Sequence, residues 1–216
     1  MALEVAVAGG HGQVALRLLR LLSDRGDRAR GLIRNPDHAA DVEATGATAV
    51  GADIENLDAD GLARSMAGVD AVVFAAGAGA GSGPARKRTV DYGGAVKLIE
   101  AARMNDISRY LIVSAIGANH PENWSDEMRP YYEAKANADA ELVDSGLDYT
   151  IVRPGGLTDD PGTGLVAAAA DLGYGRIPRD DVAATLLACL DEPRTIGKAF
   201  DLISGDTAIP DALAAL

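Results

Sequence analysis

The feature that most restricts the fold of this 216-residue chain is a glycine-rich turn between a short apolar run and an amphipathic helix. The run EVAVA (4–8) leads without a gap into GGHGQVA (9–15), after which Val14, Leu18 and Leu22 recur at helical spacing. A strand, a tight turn and a helix in immediate succession form a βα unit. This unit predicts a fold in which helices pack on a parallel sheet.

Each small residue of the turn has its own physical role. Gly9 permits a tight turn, Gly12 lets the backbone approach a pyrophosphate closely, and the small Ala15 lets helix and strand pack together. The helix N-terminus adds free N–H donors and the positive end of the helix dipole. An ordinary βα turn can carry the same glycines, but the strand before it and the helix after it favour a dinucleotide site. The predicted contacts are Gly9, Gly10, His11, Gly12, Gln13 and Val14, with His11 either touching a phosphate or simply exposed.

Further short apolar runs alternate with longer amphipathic stretches, which is typical of a parallel sheet covered by helices on both faces. Helices are predicted over 131–145 and 179–192. The sequence therefore predicts an α/β fold, a Rossmann-type doubly wound parallel sheet with a minimal C-terminal substrate-binding region. The predicted strands are 4–8, 28–33, 48–52, 70–76, 109–115 and 148–153, and a seventh run, 199–204, is expected to extend one edge.

The strands and their helices use the chain up to residue 153, and the remainder is shorter than the roughly 100 residues of a separate domain. We therefore expect a single NAD(P)-binding domain over 1–216, to which 154–216 contribute a small substrate side. The substrate pocket is expected to be small or open, with walls from 115–130 and 154–176. The low-complexity segment GAGAGSG (77–83) follows a predicted strand, so we interpret it as a loop at the ligand-binding edge of the sheet.

Composition disfavours several classes of partner. The chain has 20 Lys and Arg against 32 Asp and Glu, and a net charge of −12 disfavours binding to nucleic acid or to anionic lipid. No apolar run approaches the roughly 20 residues that span a bilayer, and MALEVAVAGG lacks the basic start of a signal peptide, so a cytoplasmic protein is expected. Cys189 is predicted to be a buried helix residue. The three histidines are scattered, so no metal site is predicted.

Residues at the carboxyl ends of the second and third predicted strands indicate which cofactor is bound. NAD is selected by an acidic residue that holds the ribose 2′-hydroxyl, whereas the second strand here ends in Arg34, whose planar fork suits a 2′-phosphate. NADP(H) is therefore expected, although Asp37 offers an NAD-type alternative and Arg34 can also be a plain surface residue. Asp53 and Ile54 are expected to contact the adenine, unless Asp53 caps the next helix. After the fourth strand, the predicted contacts are Ala75, Ala76 and Gly77.

Eight short motifs follow one another along almost the whole chain. They are GGHGQVA, GLIRNP, GADI, FAAGAG, VDYGG, LIVSAIGA, YYEAK and IVRPGGLTDDPGTG. In this order they resemble the atypical short-chain dehydrogenases/reductases, and more specifically the NAD(P)H-binding proteins often labelled NAD-dependent epimerase/dehydratase.

The resemblance implies a chemistry built on a tyrosine and a lysine four residues apart, here Tyr131 and Lys135. By resemblance, Tyr131 gives or takes the proton at the substrate oxygen, and Lys135 also holds the nicotinamide ribose. Positions i and i+4 share a helix face, so the Lys135 ammonium is expected to favour the phenolate. A tyrosine pKa near 10 must fall by about 3 units for the phenolate to act at neutral pH. Tyr132, about 100° further round the helix, is expected to face elsewhere.

Further positions enter the site by the same resemblance. Ser114 is expected either to orient the substrate oxygen or to be an ordinary strand-end residue, and Ala115 stands where relatives commonly carry a second serine. Asp91 stands where catalytic members usually carry asparagine. Pro154 fixes the backbone beside the nicotinamide carboxamide. Trp124 either covers the pocket or packs as a surface aromatic.

The sequence leaves three functions open. The first is an NADP(H)-binding oxidoreductase or epimerase-like enzyme that acts on a small carbonyl or alcohol, with hydride from the nicotinamide and Tyr131 as acid or base. The second, motivated by Ala115 and Asp91, is an NADPH-sensing regulatory protein without turnover. The third is a flavin- or tetrapyrrole-type NADPH reductase with an open aromatic pocket. The expected partner is a small-molecule substrate, with no nucleic acid or membrane, and the expected state is a monomer or homodimer.

Overall fold

The computed structural model describes residues 2–79 and 81–216, in which nine strands form one large sheet and two form a small second sheet. Met1, within the predicted domain, and Ala80, within the predicted loop 77–83, lie outside the described residues. The strands are β1 (Glu4–Ala8), β2 (Arg28–Ile33), β3 (Thr48–Gly51), β4 (Ala71–Phe74), β5 (Arg109–Val113), β6 (Asp148–Pro154), β7 (Gly156–Thr158), β8 (Leu165–Ala169), β9 (Arg176–Pro178), β10 (Lys198–Ser204) and β11 (Thr207–Ala208).

Seven strands of the large sheet run parallel, in the order β3-β2-β1-β4-β5-β6-β10. Val5 of β1 pairs with Ala29 on one side and with Ala71 on the other. The chain moves outward from β1 to β3 and then returns to place β4 on the other side of β1. Connections on the two sides therefore leave in opposite directions, which opens a crevice at the carboxyl ends of β1 and β4. This is the doubly wound arrangement that the sequence predicts.

Helices cover both faces of the sheet. They are α1 (Gln13–Arg25), α2 (Ala39–Glu43), α3 (Ala59–Ser65), α4 (Pro84–Arg86), α5 (Gly93–Met104), α6 (Arg129–Asp144), α7 (Arg179–Asp191) and α8 (Ile209–Ala214), with 3₁₀ turns at Pro36–His38, Pro121–Asn123 and Pro193–Thr195. The buried faces of α1, α7 and α8 pack on the side of the sheet that carries Val5 and Val7. Those of α3, α5 and α6 pack on the side that carries Ala6 and Ala8. Because successive strand side chains point to opposite faces, β1 is buried on both, which explains its continuous apolar run.

One helical stretch changes its geometry beside the crevice. After α4, residues Lys87–Tyr92 adopt a π-helical turn before α5 begins at Gly93. The π-helix is rare and occurs often at functional sites. Lys87 and Asp91, both in this turn, line the larger cavity described below.

The seventh run extends the sheet beyond β6, as predicted, but it is not the outermost strand. The run forms β10 and pairs parallel with β6, but β8 pairs antiparallel on its outer side and β11 pairs with β8. The segment over β8 reads LVAAA, and its alanines have little intrinsic preference for a strand. Pairing with an existing strand, rather than local sequence, therefore defines this edge.

Cys189 lies buried in α7, as predicted. Burial raises the pKa of its thiol to about 12, so the thiol is protonated and unreactive at neutral pH. Among the helices that the structure describes, none has both the length and the apolar character needed to cross a membrane. Over residues 2–79 and 81–216, no three His, Cys, Asp or Glu side chains cluster in a way that could hold a metal ion.

Candidate active site

Two cavities lie at the carboxyl edge of the sheet, on either side of the loop that follows β4. The first has a volume of about 280 Å³ and the second about 1030 Å³, and the two share Gly12 and the run Ala75–Gly77 as lining. Apart from the alternatives Asp37 and Trp124, every residue predicted for the site by number lines one or both of them. The first cavity contains Gly9, Gly10, His11, Arg34, Asp53 and Ile54, and the second contains Gln13, Val14, Asp91, Ser114, Tyr131, Lys135 and Pro154.

The glycine-rich turn brings the backbone close to the loop after β4. Gly9 has φ +76°, and a Cβ added there would lie 2.7 Å from Cα of Ala76. A Cβ on Gly10 would lie 2.7 Å from Cα of Gly31 in β2. Among the described residues no side chain caps the first turn of α1, so its N–H groups remain free at the cavities. A cradle without side chains below an uncapped helix N-terminus fits the pyrophosphate of a dinucleotide.

The need for glycine at position 9 can be measured by stability. We expect Gly9→Ala to lower the free energy of unfolding by about 1–3 kcal/mol or more, because a left-handed φ and an overlap with backbone act together. The matched control is Gly51→Ala, where a Cβ meets nothing within 4 Å and should change stability by about 0.5 kcal/mol or less. Urea unfolding of both variants provides the comparison. Equal effects would contradict the assigned turn geometry.

In the first cavity, Arg34 projects from the end of β2 and is half exposed. Its Nη1 lies 3.4 Å from Oε2 of Glu55. Asp37, the alternative residue for binding the ribose hydroxyl of NAD, is exposed and does not line either cavity. The structure therefore places the Arg34 guanidinium, and not the Asp37 carboxylate, at the edge of the first cavity.

Asp53 caps its own turn rather than the next helix. Its Oδ1 accepts a hydrogen bond from the Glu55 backbone N–H at 2.9 Å, and its Oδ2 accepts one from Asn56 Nδ2 at 2.8 Å. Burial favours the neutral acid, but these hydrogen bonds outweigh it and lower the pKa of Asp53. The helix cap is Asp58, which accepts from the Gly61 N–H at 2.8 Å, so the alternative that Asp53 caps α3 is wrong.

The His11 side chain contacts two residues of the segment that follows β2. Its Nε2 lies 2.8 Å from Oδ2 of Asp41, and its ring stacks on that of His38 with centroids 3.7 Å apart. The ring also lines the first cavity. Both sequence interpretations of His11 therefore stay open, since it is partly exposed and adjacent to the predicted phosphate position.

Lys135 is buried against β5 and the π-helical turn. Its ammonium donates to the Val113 carbonyl at 3.0 Å and lies 3.4 Å from Oδ1 of Asp91. Both charged side chains are at most 5% exposed. The other carboxylate oxygen of Asp91 accepts a hydrogen bond from the Ala78 N–H at 3.0 Å. Asp91 thus ties the loop after β4 to α6, and it neutralises the lysine.

Tyr131 does not have the lowered pKa that its spacing to Lys135 predicts. Burial, together with the charges of Asp91 and Asp139, raises the pKa of the Tyr131 phenol to about 12. The Lys135 ammonium lies 6.0 Å from the Tyr131 ring centroid and is paired with Asp91 instead. The phenol is therefore neutral at pH 7 and is a hydrogen-bond donor to the second cavity.

Ser114 is directed into a buried polar network that the sequence analysis did not include. Its hydroxyl donates to Oδ2 of Asp139 at 3.0 Å, and the same oxygen accepts from Arg153 Nε at 3.1 Å. Burial raises the pKa of Asp139, although Arg153 and the serine oppose the shift. Asp139 continues the i, i+4 series of Tyr131 and Lys135 on α6, and this spacing is the signal that could have revealed it.

Tyr132 lines the second cavity together with Tyr131, so the prediction that it faces elsewhere is wrong. The two rings are 5.4 Å apart and tilted by 58°. Behind it, Trp124 stacks on Tyr132 at 5.8 Å and donates from Nε1 to the Gly117 carbonyl at 2.8 Å. The cavity is wide enough to reach both tyrosines, whereas Trp124 is not part of its lining. Of the two sequence interpretations, Trp124 packs rather than covers the pocket.

The outer walls of the second cavity come only in part from the predicted segments. The segment Pro154–Leu157 lines it, as do the exposed Tyr174 and the partly buried Arg179, but residues 158–164 do not. That stretch is held on α7 instead, where Asp181 accepts hydrogen bonds from the backbone of Thr163 and Gly164. Met128 and Pro130 come from the predicted wall 115–130, whereas sequence reasoning missed Lys87 and Arg179, because neither belongs to a motif.

The strand order, the glycine-rich turn and the two-part crevice define a class of protein: a Rossmann-fold NAD(P)-binding protein of the atypical short-chain dehydrogenase/reductase type. The sequence model of the NAD(P)H-binding family matches residues 9–193, and the chain belongs to this family.

Individual relatives agree with this assignment. The Bacillus subtilis protein YhfK, described as an uncharacterized sugar epimerase, is 46% identical over 212 residues, which cover 98% of this chain and 99% of that protein. A solved structure from Bacillus halodurans, described as an NAD-dependent epimerase/dehydratase, is 36% identical with a TM-score of 0.94 and full coverage of both chains. ChuY from Escherichia coli O157:H7, an anaerobillin reductase, is 25% identical with a TM-score of 0.80, over 94% of this chain and 98% of that one.

Proposed function

We propose that this protein is an NADP(H)-dependent oxidoreductase that reduces a small carbonyl substrate, with Tyr131 as the proton donor. The observation that carries the proposal is the position of a neutral, partly buried phenol in the same cavity as Gln13 and Val14 of the first turn of α1. A phenol that stays protonated at neutral pH can give its proton to a developing alkoxide, although the raised pKa makes it a weaker acid than an ordinary tyrosine. It is poorly suited to remove a proton from an alcohol at neutral pH.

The residues present fit the proposed cofactor. The uncapped N-terminus of α1 and the glycine cradle would hold the pyrophosphate, Lys135 would hold the nicotinamide ribose, and Arg34 would hold the 2′-phosphate. Bound NADPH supplies the hydride. Tyr131 donates its proton to the substrate oxygen, which would lie in the second cavity between Tyr131 and Pro154.

The direct test is turnover with a defined panel of carbonyl compounds. Purified protein is mixed with NADPH and, separately, NADH, and loss of the reduced nicotinamide absorbance is followed with aldehydes, ketones and quinones as substrates. We expect oxidation of NADPH with at least one carbonyl class, and weaker use of NADH. Tight NADPH binding without turnover of any substrate would instead favour the NADPH-sensing alternative. The cytoplasmic location and the monomeric or homodimeric state stay predictions.

The pKa of Tyr131 predicts how the two directions of reaction depend on pH. Below about pH 12 the phenol is protonated, so we expect the rate of carbonyl reduction to stay flat from about pH 7 to about pH 10. Alcohol oxidation requires the phenolate, so its rate should rise about tenfold per pH unit over the same range. The measurement is the initial rate of carbonyl reduction and of alcohol oxidation across this pH range. A reduction rate that falls with a midpoint near neutrality would contradict the assigned protonation state.

A second candidate function is reduction of a flavin or a linear tetrapyrrole. The favouring observation is the second cavity itself, which at about 1030 Å³ is large and is lined by Tyr131, Tyr132 and Tyr174 with Lys87 and Arg179 at its walls. A flat, anionic, conjugated ligand fits aromatic and cationic walls of this kind. Turnover of FMN or biliverdin that survives Tyr131→Phe would favour this function over carbonyl reduction.

A further inference from the structure

Two arginines from different βα units converge on one carboxylate in the first cavity. Arg34 at the end of β2 and Arg86 at the end of α4 each place a guanidinium nitrogen 3.4 Å from the same atom, Oε2 of Glu55. All three residues line the cavity. Two guanidinium groups around one oxygen resemble the coordination of a phosphate more than an isolated surface ion pair.

Glu55 is fixed in place, whereas the arginines keep unused donors. The Thr89 hydroxyl donates to Oε1 of Glu55 at 2.6 Å, and Lys97 Nζ donates to the Glu55 carbonyl at 2.9 Å. In the part of the chain that the structure describes, neither guanidinium makes another hydrogen bond or ion pair. A separation of 3.4 Å is longer than the roughly 2.7–2.9 Å of a strong charge-assisted hydrogen bond. Each arginine can therefore bind a second anion.

The free hydrogen-bond donors, rather than an excess of charge, favour an anion at this position. The guanidinium groups of Arg34 and Arg86 face the carboxylates of Glu55 and Asp53 in this cavity, so their formal charges balance. Both oxygens of Asp53 already accept hydrogen bonds from its own turn, whereas the two guanidinium groups keep N–H groups without a second partner among the described residues. The groups still able to bind a ligand here are therefore donors, which suit a phosphate.

We infer that the 2′-phosphate of NADP(H) binds between Arg34 and Arg86, and that Glu55 competes with it for both guanidinium groups. Arg86 and Glu55 are then the residues that, with Arg34, set the preference for NADP(H) over NAD(H). The inference rests on the proposed dependence on NADP(H). Before the cofactor binds, Glu55 holds the two like-charged arginines together, and the doubly charged phosphate displaces its carboxylate.

The test uses the cofactor's adenosine half alone, so that substrate and nicotinamide play no part. Dissociation constants for 2′,5′-ADP and for 5′-AMP are measured by calorimetry on the full chain and on four variants, one of which is Arg34→Ala. Arg86→Ala should weaken 2′,5′-ADP about tenfold or more, because a charge-assisted contact to phosphate is lost, and should leave 5′-AMP within about twofold. Glu55→Gln should tighten 2′,5′-ADP several-fold, because the competing charge is removed. The matched control is Arg88→Ala, which removes the same charge from an exposed neighbour outside both cavities.

Three outcomes overturn the inference. Equal effects of Arg86→Ala and Arg88→Ala on 2′,5′-ADP would show that only general electrostatics act. Weaker binding of 2′,5′-ADP by Glu55→Gln would show that the carboxylate positions the arginines without competing. Weaker binding of 5′-AMP by Glu55→Gln would show that Glu55 accepts the ribose hydroxyl and serves NAD instead.

Failure of the proposed function gives a different pattern. In that case the unmodified protein would bind 2′,5′-ADP no more tightly than 5′-AMP, whatever Arg86 does. If the unmodified protein prefers 2′,5′-ADP and Arg34→Ala removes the preference while Arg86→Ala does not, the NADP(H) dependence stands and only the role of Arg86 falls.

Discussion

Replacing Tyr131 by phenylalanine is expected to lower kcat for carbonyl reduction by about 10²–10⁴-fold, the usual contribution of a positioned general acid. The substitution removes one hydroxyl from a ring that is packed beside Tyr132 and Lys135, so the fold and NADPH affinity should change little. Steady-state kinetics and NADPH titration on the same preparation separate the two effects.

Tyr132→Phe is the matched control for this experiment. It removes the same hydroxyl from the adjacent residue, in the same cavity, without touching the proposed proton donor. We expect its kcat to stay within about threefold of the unmodified protein, with any effect appearing in KM. Similar losses in both variants, or undiminished turnover in Tyr131→Phe, would remove Tyr131 from the proposed role.

Asp91→Ala is expected to destabilise the protein by about 3–5 kcal/mol, because it leaves the buried Lys135 ammonium without its carboxylate. The variant also loses the hydrogen bond that Asp91 accepts from the Ala78 N–H, so the loop after β4 should bind cofactor more weakly. Urea unfolding measures the loss of stability, and titration with NADPH measures the loss of cofactor affinity.

A double variant separates the ion pair from the surrounding packing. Asp91→Ala combined with Lys135→Met removes both charges and should recover most of the lost stability, since a buried pair contributes little beyond satisfying its own partners. Asp159→Ala breaks an exposed pair with Arg179 and serves as the control, with an expected change below about 1 kcal/mol. A double variant as unstable as Asp91→Ala alone would contradict the pairing.

The parallel core of the fold could be predicted because its signals are local. The runs at 4–8 and 28–33 form strands with the predicted bounds; the first is buried throughout, and the second is buried over its last three residues. The edge could not be predicted. β8 is an alanine-rich segment that becomes a strand only because β10 offers a partner, and that pairing joins residues far apart in sequence.

In the candidate site, too, features set by local sequence could be predicted and features set by long-range contacts could not. The i, i+4 spacing correctly puts Tyr131 and Lys135 on one face of α6, which a single helix determines. The pairing of Lys135 with Asp91 joins separate helices. Burial of the Tyr131 phenol, together with the charges of Asp91 and Asp139, raises its pKa where the spacing to Lys135 predicts a lower one. Such long-range contacts have no local signature. For the same reason, the sequence suggested Arg34 but not Arg86 as a cofactor residue.

We propose that the nicotinamide end of NADP(H) lies beside a neutral Tyr131 in the second cavity. A crystal structure of the protein with NADP⁺ is the experiment that checks this placement. We expect the nicotinamide between Pro154 and Tyr131, with room for a substrate oxygen about 3 Å from the phenol oxygen, and the 2′-phosphate at Arg34. A nicotinamide bound away from Tyr131, with the phenol oxygen out of reach of any substrate atom at the ring, would contradict it.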